Sequence, residues 1–291
     1  MTASRPDAAG FAGRLRTAVA ERGRLCAGID PHPELLEAWG LPRSADGLAA
    51  FTDVCVRALG RSVAVVKPQV AMFEEYGAAG LAVLEDAVAR LREAGALTLA
   101  DAKRGDIGST MAAYARAWLT DGAPLAVDAM TAVPYLGLGA LAPAVDQARG
   151  TARGVFVLAR TSNPEGRAVQ TARLTGDREP AGDGGGPAPG GVSVAQSIVD
   201  GAAGDDTGTL GLVVGATRAH GLRLDGFTGP ILAPGLGAQG ASASDLPGIF
   251  AGATGLLIPN SSRAILQAGP DPDRVRASAE RTRDGIEAVL R

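Results

Sequence analysis

Eight short apolar runs, each separated from the next by a stretch with helical periodicity, constrain this chain more than any other feature. They lie at Leu25 to Ile29, Val63 to Val66, Leu97 to Ala100, Leu125 to Ala129, Val155 to Leu158, Leu210 to Val214, Ile231 to Ala233 and Leu256 to Ile258. Nearly uninterrupted β-branched or Leu-rich runs are what strands buried on both faces require. Between them, Leu81, Leu84, Val88 and Leu91 share one helical face, as do Met111, Tyr114 and Trp118. Gly95 and Gly122 stand where helix C-caps are expected. Strands that alternate with helices pair in parallel through right-handed crossovers. Eight such units predict an α/β fold closed as a (β/α)8 TIM barrel, with an open doubly wound sheet as the alternative. The whole chain, 1–291, reads as one domain, since such barrels typically take about 250 residues and tolerate insertions.

One stretch breaks the rhythm. Residues 170–191 (QTARLTGDREPAGDGGGPAPGG) are rich in Gly and Pro and lack a periodic apolar face, so they read as a flexible insertion after the fifth strand. A loop there emerges on the catalytic face of a barrel, which leaves open both a lid and a tolerated surface insertion.

With 46% apolar residues, 20% charged residues and a net charge of -3, nothing suggests a polyanion-binding surface, and nucleic acid is not an expected partner. No apolar stretch has the length of a signal peptide core or a membrane span, so a cytoplasmic location without membrane association is expected. Cys26 and Cys55 sit in apolar surroundings without metal-like spacing and read as buried reduced thiols. Besides them only His32 and His220 offer soft ligands, so no metal site is expected.

The segment LTLADAKRGDIGST, residues 97 to 110, carries the chemistry. Buried-strand residues run straight into Asp101, Lys103, Arg104 and Asp106. A side-chain period of two turns Asp101 and Lys103 the same way, toward the barrel mouth, where catalytic groups sit. Lys67 ends the run VAVVK one strand earlier, which places it beside Asp101, and Asp30 ends the first strand in the same manner. An ion-pair network that merely closes the barrel top is the bland alternative.

After the seventh run, Pro234-Gly235-Leu236-Gly237-Ala238-Gln239-Gly240 matches G-x-G-x-x-G literally. A dinucleotide fold needs that motif near its start, with an acidic residue about 20 positions on, and Asn260 stands there instead. Loops after the last two strands of a barrel commonly hold phosphate through backbone N–H groups. The eighth run leads into Pro259-Asn260-Ser261-Ser262-Arg263, and Arg263 offers a forked donor pair.

DAKRGDIGST resembles the signature of the orotidine 5′-phosphate decarboxylase family, in particular the subgroup with D-x-K-R-G-D-I-G-S-T. LCAGIDPHPELL, VVKPQVAMFEEYG, RTSNPEG, VVGAT, APGLGAQGA and SSRAIL are similar to that family too, so the likeness runs from about residue 25 to about residue 266. The resemblance implies cofactor-free and metal-free decarboxylation of orotidine 5′-monophosphate to uridine 5′-monophosphate, in de novo pyrimidine synthesis. It implies that Lys67, Asp101 and Lys103 form a charged array completed by Asp106 of the partner in a homodimer, with Thr110 also reaching across. It further implies that Asp30 binds the ribose hydroxyls and Ser162 the pyrimidine amide. Gln239 would hold the phosphate and the base, Gly237 and Arg263 the phosphate, and Pro234 and Gly235 would line the substrate site. The Gly/Pro-rich insertion has no counterpart in the family pattern.

The residues suit that chemistry. A carbanion left by CO₂ loss has no adjacent carbonyl to delocalise it, so a counter-charge and a proton must be supplied, and Lys103 is the natural source of both. A magnesium-dependent sugar-phosphate decarboxylase or aldolase on the same barrel shares D-x-K-x-x-D, but it calls for an acidic residue where Lys67 stands. A non-catalytic phosphate binder is the third reading, since fold alone does not prove turnover.

Overall fold

The computed structural model of the chain describes residues 10–174, 191–216, 220–237 and 241–290. Its strands are β1 (Cys26–Ile29), β2 (Val65–Pro68), β3 (Leu97–Arg104), β4 (Ala129–Ala132), β5 (Gly154–Arg160), β6 (Leu210–Val214), β7 (Ile231–Pro234) and β8 (Leu257–Ser261). They hydrogen-bond in sequence order, all in parallel, and β8 returns to β1 to close the barrel. At that seam the Asn260 amide donates to the Cys26 carbonyl at 2.9 Å. The expected closed α/β barrel is therefore the observed one, and Asn260 is spent on closing it.

An amphipathic helix that precedes the first strand, α1 (Phe11–Arg22), seals the N-terminal mouth. Phe11 and Leu15 join Cys26, Val65, Leu99, Ala129, Phe156, Val213, Leu232 and Ile258 in an apolar cluster inside the barrel. Phe11 meets Phe156 edge to face at 5.9 Å, a favoured ring geometry. Gly154 makes room for this plug, because a Cβ there would lie 2.5 Å from the Phe11 ring. The charged end of the barrel thus stands on a dry floor. No helix among the described residues is long and apolar enough to cross a membrane.

The helical faces pack as their periodicity predicts. Leu84, Val88, Leu91, Met111 and Trp118 are buried against the sheet, with Leu81 and Tyr114 partly so. Gly95, at φ +83, follows the helix Gly77–Glu93, and the Ala96 N–H turns back to the Leu91 carbonyl. Gly122 also has a positive φ, but it lies in a turn beyond the helix Gly108–Leu119 rather than at its cap. Both cysteines are buried free thiols, and burial pushes Cys26 up to about 12, so neither is poised as a nucleophile.

Boundaries differ in two informative places. The fourth strand runs over Ala129–Ala132, not Leu125 to Ala129, because Asp128 accepts hydrogen bonds from the Thr98 amide and hydroxyl and the residues before it turn toward Ala123 and Trp118. The described ends of the 170–191 segment also carry hydrogen-bonded structure. Gln170 ends a short helix, Arg167–Gln170, and the Leu174 N–H pairs with the Val192 carbonyl. Residues 175–190 lie outside the described part.

Candidate active site

The third strand runs past its apolar section to Arg104, and its last residues alternate between two environments. Ala102 and Arg104 face outward. The Arg104 guanidinium packs over Tyr114 and Trp118 and pairs with Glu74. Asp101 faces the mouth, and Lys67 from the end of β2 approaches it, Nζ to Oδ2, at 2.9 Å. Lys103 Nζ reaches the other carboxylate oxygen at 2.6 Å. Lys103 does not get there as a regular strand residue, however. Its φ is +48, the ladder with β4 shifts register at this point, and its N–H donates to the Thr131 hydroxyl at 2.9 Å. A non-glycine residue in the left-handed region costs roughly 1 to 3 kcal/mol and persists where the surroundings impose it. Here the imposed conformation returns the ammonium group to Asp101.

Asp101 is accordingly saturated. Besides the two lysines it accepts from Gln69 Nε2 at 3.2 Å and from the Thr131 hydroxyl at 3.0 Å. Burial by itself would raise its pKa, but Lys67 and Lys103 outweigh burial and hold the carboxyl far below the usual range. Burial would likewise lower the Lys67 pKa, yet Asp30 and then Asp101 outweigh it and keep the ammonium charged well above the ordinary lysine range. Exposure grades across the array, with Lys67 at 3%, Asp101 at 11% and Lys103 at 46%. Lys103 is the member open to exchange with water.

Asp30 lies 3.9 Å from Lys67 Nζ, and its buried Oδ1 has no hydrogen-bond partner. Asp30 lines a cavity of about 370 Å³ together with Lys67, Asp101, Lys103, Ser162, Pro234, Gly235 and Arg263. The Thr161 and Asn163 side chains are tied to each other and to Gln170 and Glu165. The hydroxyl of Ser162 between them has no protein partner among the described residues. Arg263 sits across the mouth from β3 at the start of a short helical turn, exposed. Asp106 and Thr110 do not line this cavity, and neither does Gly237, whose N–H is used by the Ala241 carbonyl. Gln239 lies outside the described residues.

Sequence reasoning missed several contributors. Gln69 stands two residues beyond Lys67, so the same period of two would have turned it toward Asp101. Thr131 was hidden by the misplaced fourth strand, although a lone hydroxyl in an apolar run is itself a signal. Gly28, in the middle of buried β1, marks close approach. A Cβ there would fall 1.9 Å from Ser262 Oγ and 3.0 Å from Asp30 Oδ1.

Residues 23–183 match the family described as Orotidine 5′-phosphate decarboxylase / HUMPS. The chain belongs to that family. Among its relatives, the orotidine 5′-phosphate decarboxylase of Salinispora arenicola (strain CNS-205) is 52% identical over 286 residues, covering 96% of this chain and 98% of that one. A crystal structure from Streptomyces avermitilis ma-4680, provisionally assigned as an orotidine 5′-phosphate decarboxylase, superposes with a TM-score of 0.88 at 48% identity. It covers 97% of this chain and 96% of its own. The OMP decarboxylase of Leishmania donovani is more distant, with a TM-score of 0.70 at 28% identity over 96% and 98% of the two chains.

Proposed function

We infer that this family member converts orotidine 5′-monophosphate to uridine 5′-monophosphate and CO₂, a step of pyrimidine synthesis, using the Lys67–Asp101–Lys103 array. The observation that carries this reading is a carboxylate held ionised between two ammonium groups, facing a cavity with a forked cation at its opposite rim. The phosphate lies toward Arg263, which presents a planar pair of donors. The ribose hydroxyls meet the Asp30 carboxylate, and the pyrimidine amide meets the free hydroxyl of Ser162. That orientation brings the substrate carboxylate against Asp101. Like charges about 4 Å apart repel by roughly 4 kcal/mol at an effective dielectric of 20, and binding energy from the phosphate offsets the cost.

The bond from C6 to the carboxylate carbon then breaks, its electron pair stays on C6, and CO₂ leaves. Lys103 supplies the counter-charge and transfers a proton from Nζ to C6. Its exposure lets water return that proton. A magnesium-dependent sugar-phosphate reaction suits this geometry less well, because both oxygens of Asp101 are already bonded to protein donors. Incubation with orotidine 5′-monophosphate should release CO₂ and uridine 5′-monophosphate in equal amounts. Consumption to any other product would overturn the reading.

The same reading assigns Asp106 and Thr110 to the site of a second copy in a homodimer. In support, Ile107 between them in sequence is an exposed apolar side chain, as are Tyr135 and Leu136 in the loop after β4, and the Val133 N–H joins the two loops by donating to the Arg104 carbonyl. Lys103→Ala and Asp106→Ala proteins, each inactive alone, should rescue each other when unfolded together and refolded. Random pairing leaves half the dimers mixed, each with one intact site, so roughly a quarter of all sites recover. Mixed dimers without activity would return Asp106 to its own chain.

A further inference from the structure

A second and larger cavity, of about 560 Å³, opens on the other side of the loop that follows β5. Arg160, Arg167, Arg173 and Arg223 all line it, and no Asp or Glu does so among the described residues. Several exposed arginines elsewhere pair with carboxylates instead, as Arg43 does with Glu37, Arg57 with Asp53, Arg149 with Asp146 and Arg276 with Asp273. His220 contributes no free cation, since its Nδ1 accepts from the Leu222 N–H and its Nε2 meets the Ile249 carbonyl.

The four guanidinium groups are not equally engaged. Arg160 donates to Gln170 Oε1 at 2.7 Å, with its buried Nε left without a partner, and Arg173 donates to the Gly191 carbonyl. The Arg167 and Arg223 side chains have no partner among the described residues. Four like charges converging on one concavity repel one another unless an anion offsets them, and planar forked donors match phosphate oxygens. We propose that this cavity is a second anion site, distinct from the substrate cavity, that takes a ligand with two or more phosphate-type charges.

Gln170 couples the two cavities. Its Oε1 accepts from both Arg160 and the Thr161 N–H, at 2.7 and 3.1 Å, and its Nε2 donates to the Thr161 hydroxyl at 2.7 Å. Thr161 and the adjacent Ser162 line the substrate cavity. An anion that draws Arg160 away from Gln170 therefore loosens the segment that faces the pyrimidine, and KM for the nucleotide rises. This coupling rests on the proposed function, whereas binding of the anion does not.

Titration calorimetry with inorganic tripolyphosphate tests the site without turnover. In Arg263→Ala, which lacks the anchor for the substrate phosphate, one equivalent per chain should still bind, and at least about tenfold more weakly once Arg167→Ala/Arg223→Ala is added. The changed arginines are all exposed, so folding is not at risk. No binding in Arg263→Ala, or equal affinity once the other two are changed, would overturn the site. In steady state, tripolyphosphate should raise KM more in the wild-type protein than in Gln170→Leu, which still binds the anion. An equal rise in both would overturn the coupling.

Discussion

The two ends of the substrate cavity are built on opposite principles. At the ends of β2 and β3 Lys67 is buried and Asp101 largely so, each oxygen of Asp101 carries two protein donors, and a left-handed residue is held in place by Thr131. After β7 the glycines Gly235 and Gly237 have positive φ, and after β8 Arg263 stands exposed with no partner among the described residues. The first end is organised before substrate arrives, as electrostatic stabilisation of a developing charge requires. The second supplies binding energy that appears only when an anion arrives. The difference separates effects on kcat from effects on KM.

Deleting the reacting charge should break the comparison most severely. Lys103→Ala is expected to lower kcat by about 10² to 10⁴-fold while leaving the melting temperature nearly unchanged, because the side chain is half exposed. Retention of more than a tenth of the wild-type kcat would remove Lys103 from the proton-donor role. At the other end, Arg263→Ala should cost about 10- to 100-fold in kcat/KM, mostly through KM, with little change for the nucleoside that lacks the phosphate. Equal losses for nucleotide and nucleoside would place the phosphate elsewhere.

A smaller effect, about tenfold on kcat with KM nearly constant, is expected for Thr131→Val. This shape-conserving change removes the acceptor for the Lys103 N–H and a donor to Asp101. Rescue by Thr131→Ser, and not by Thr131→Val, would identify the hydroxyl as a positioning group. Unaltered kcat in the valine variant would show that Lys103 holds its conformation unaided.

The smallest expected response is to pH. Because the folded pKa of Asp101 is depressed, its contribution to stability is present above about pH 4 and lost only as pH falls toward the folded value. Because that of Lys67 is raised, its contribution is present below about pH 10 and lost as pH rises through the folded value. Asp101→Asn leaves Lys67 with only the more distant Asp30 and should cost about 3 kcal/mol or more. Urea unfolding should give the same loss from about pH 5 to 9. A loss that varies within this window would mean that another group titrates with the array.

The barrel was legible because eight apolar runs and their helical spacers repeat one unit, and burial on both faces leaves strands little freedom of composition. The array was legible from spacing alone at Lys67 and Asp101. Lys103 was placed correctly for an incomplete reason, since alternation predicts its side but not the left-handed backbone that delivers it. Thr131 and Gly28 escaped because their roles depend on which strand lies alongside, and that register is set by long-range packing around Asp128 and Ser262. The arginine cavity was not legible at all. Its arginines come from the end of β5, the segment after it and the segment after β6, which only the closed barrel brings together.

The claim that the charged array carries the reaction by itself has a direct test. Chelator-treated protein is mixed with orotidine 5′-monophosphate, and the loss of its absorbance is followed with and without added Mg²⁺. The account predicts full turnover in the chelator and no acceleration by the metal. Activity that vanishes on chelation and returns with Mg²⁺ would contradict it.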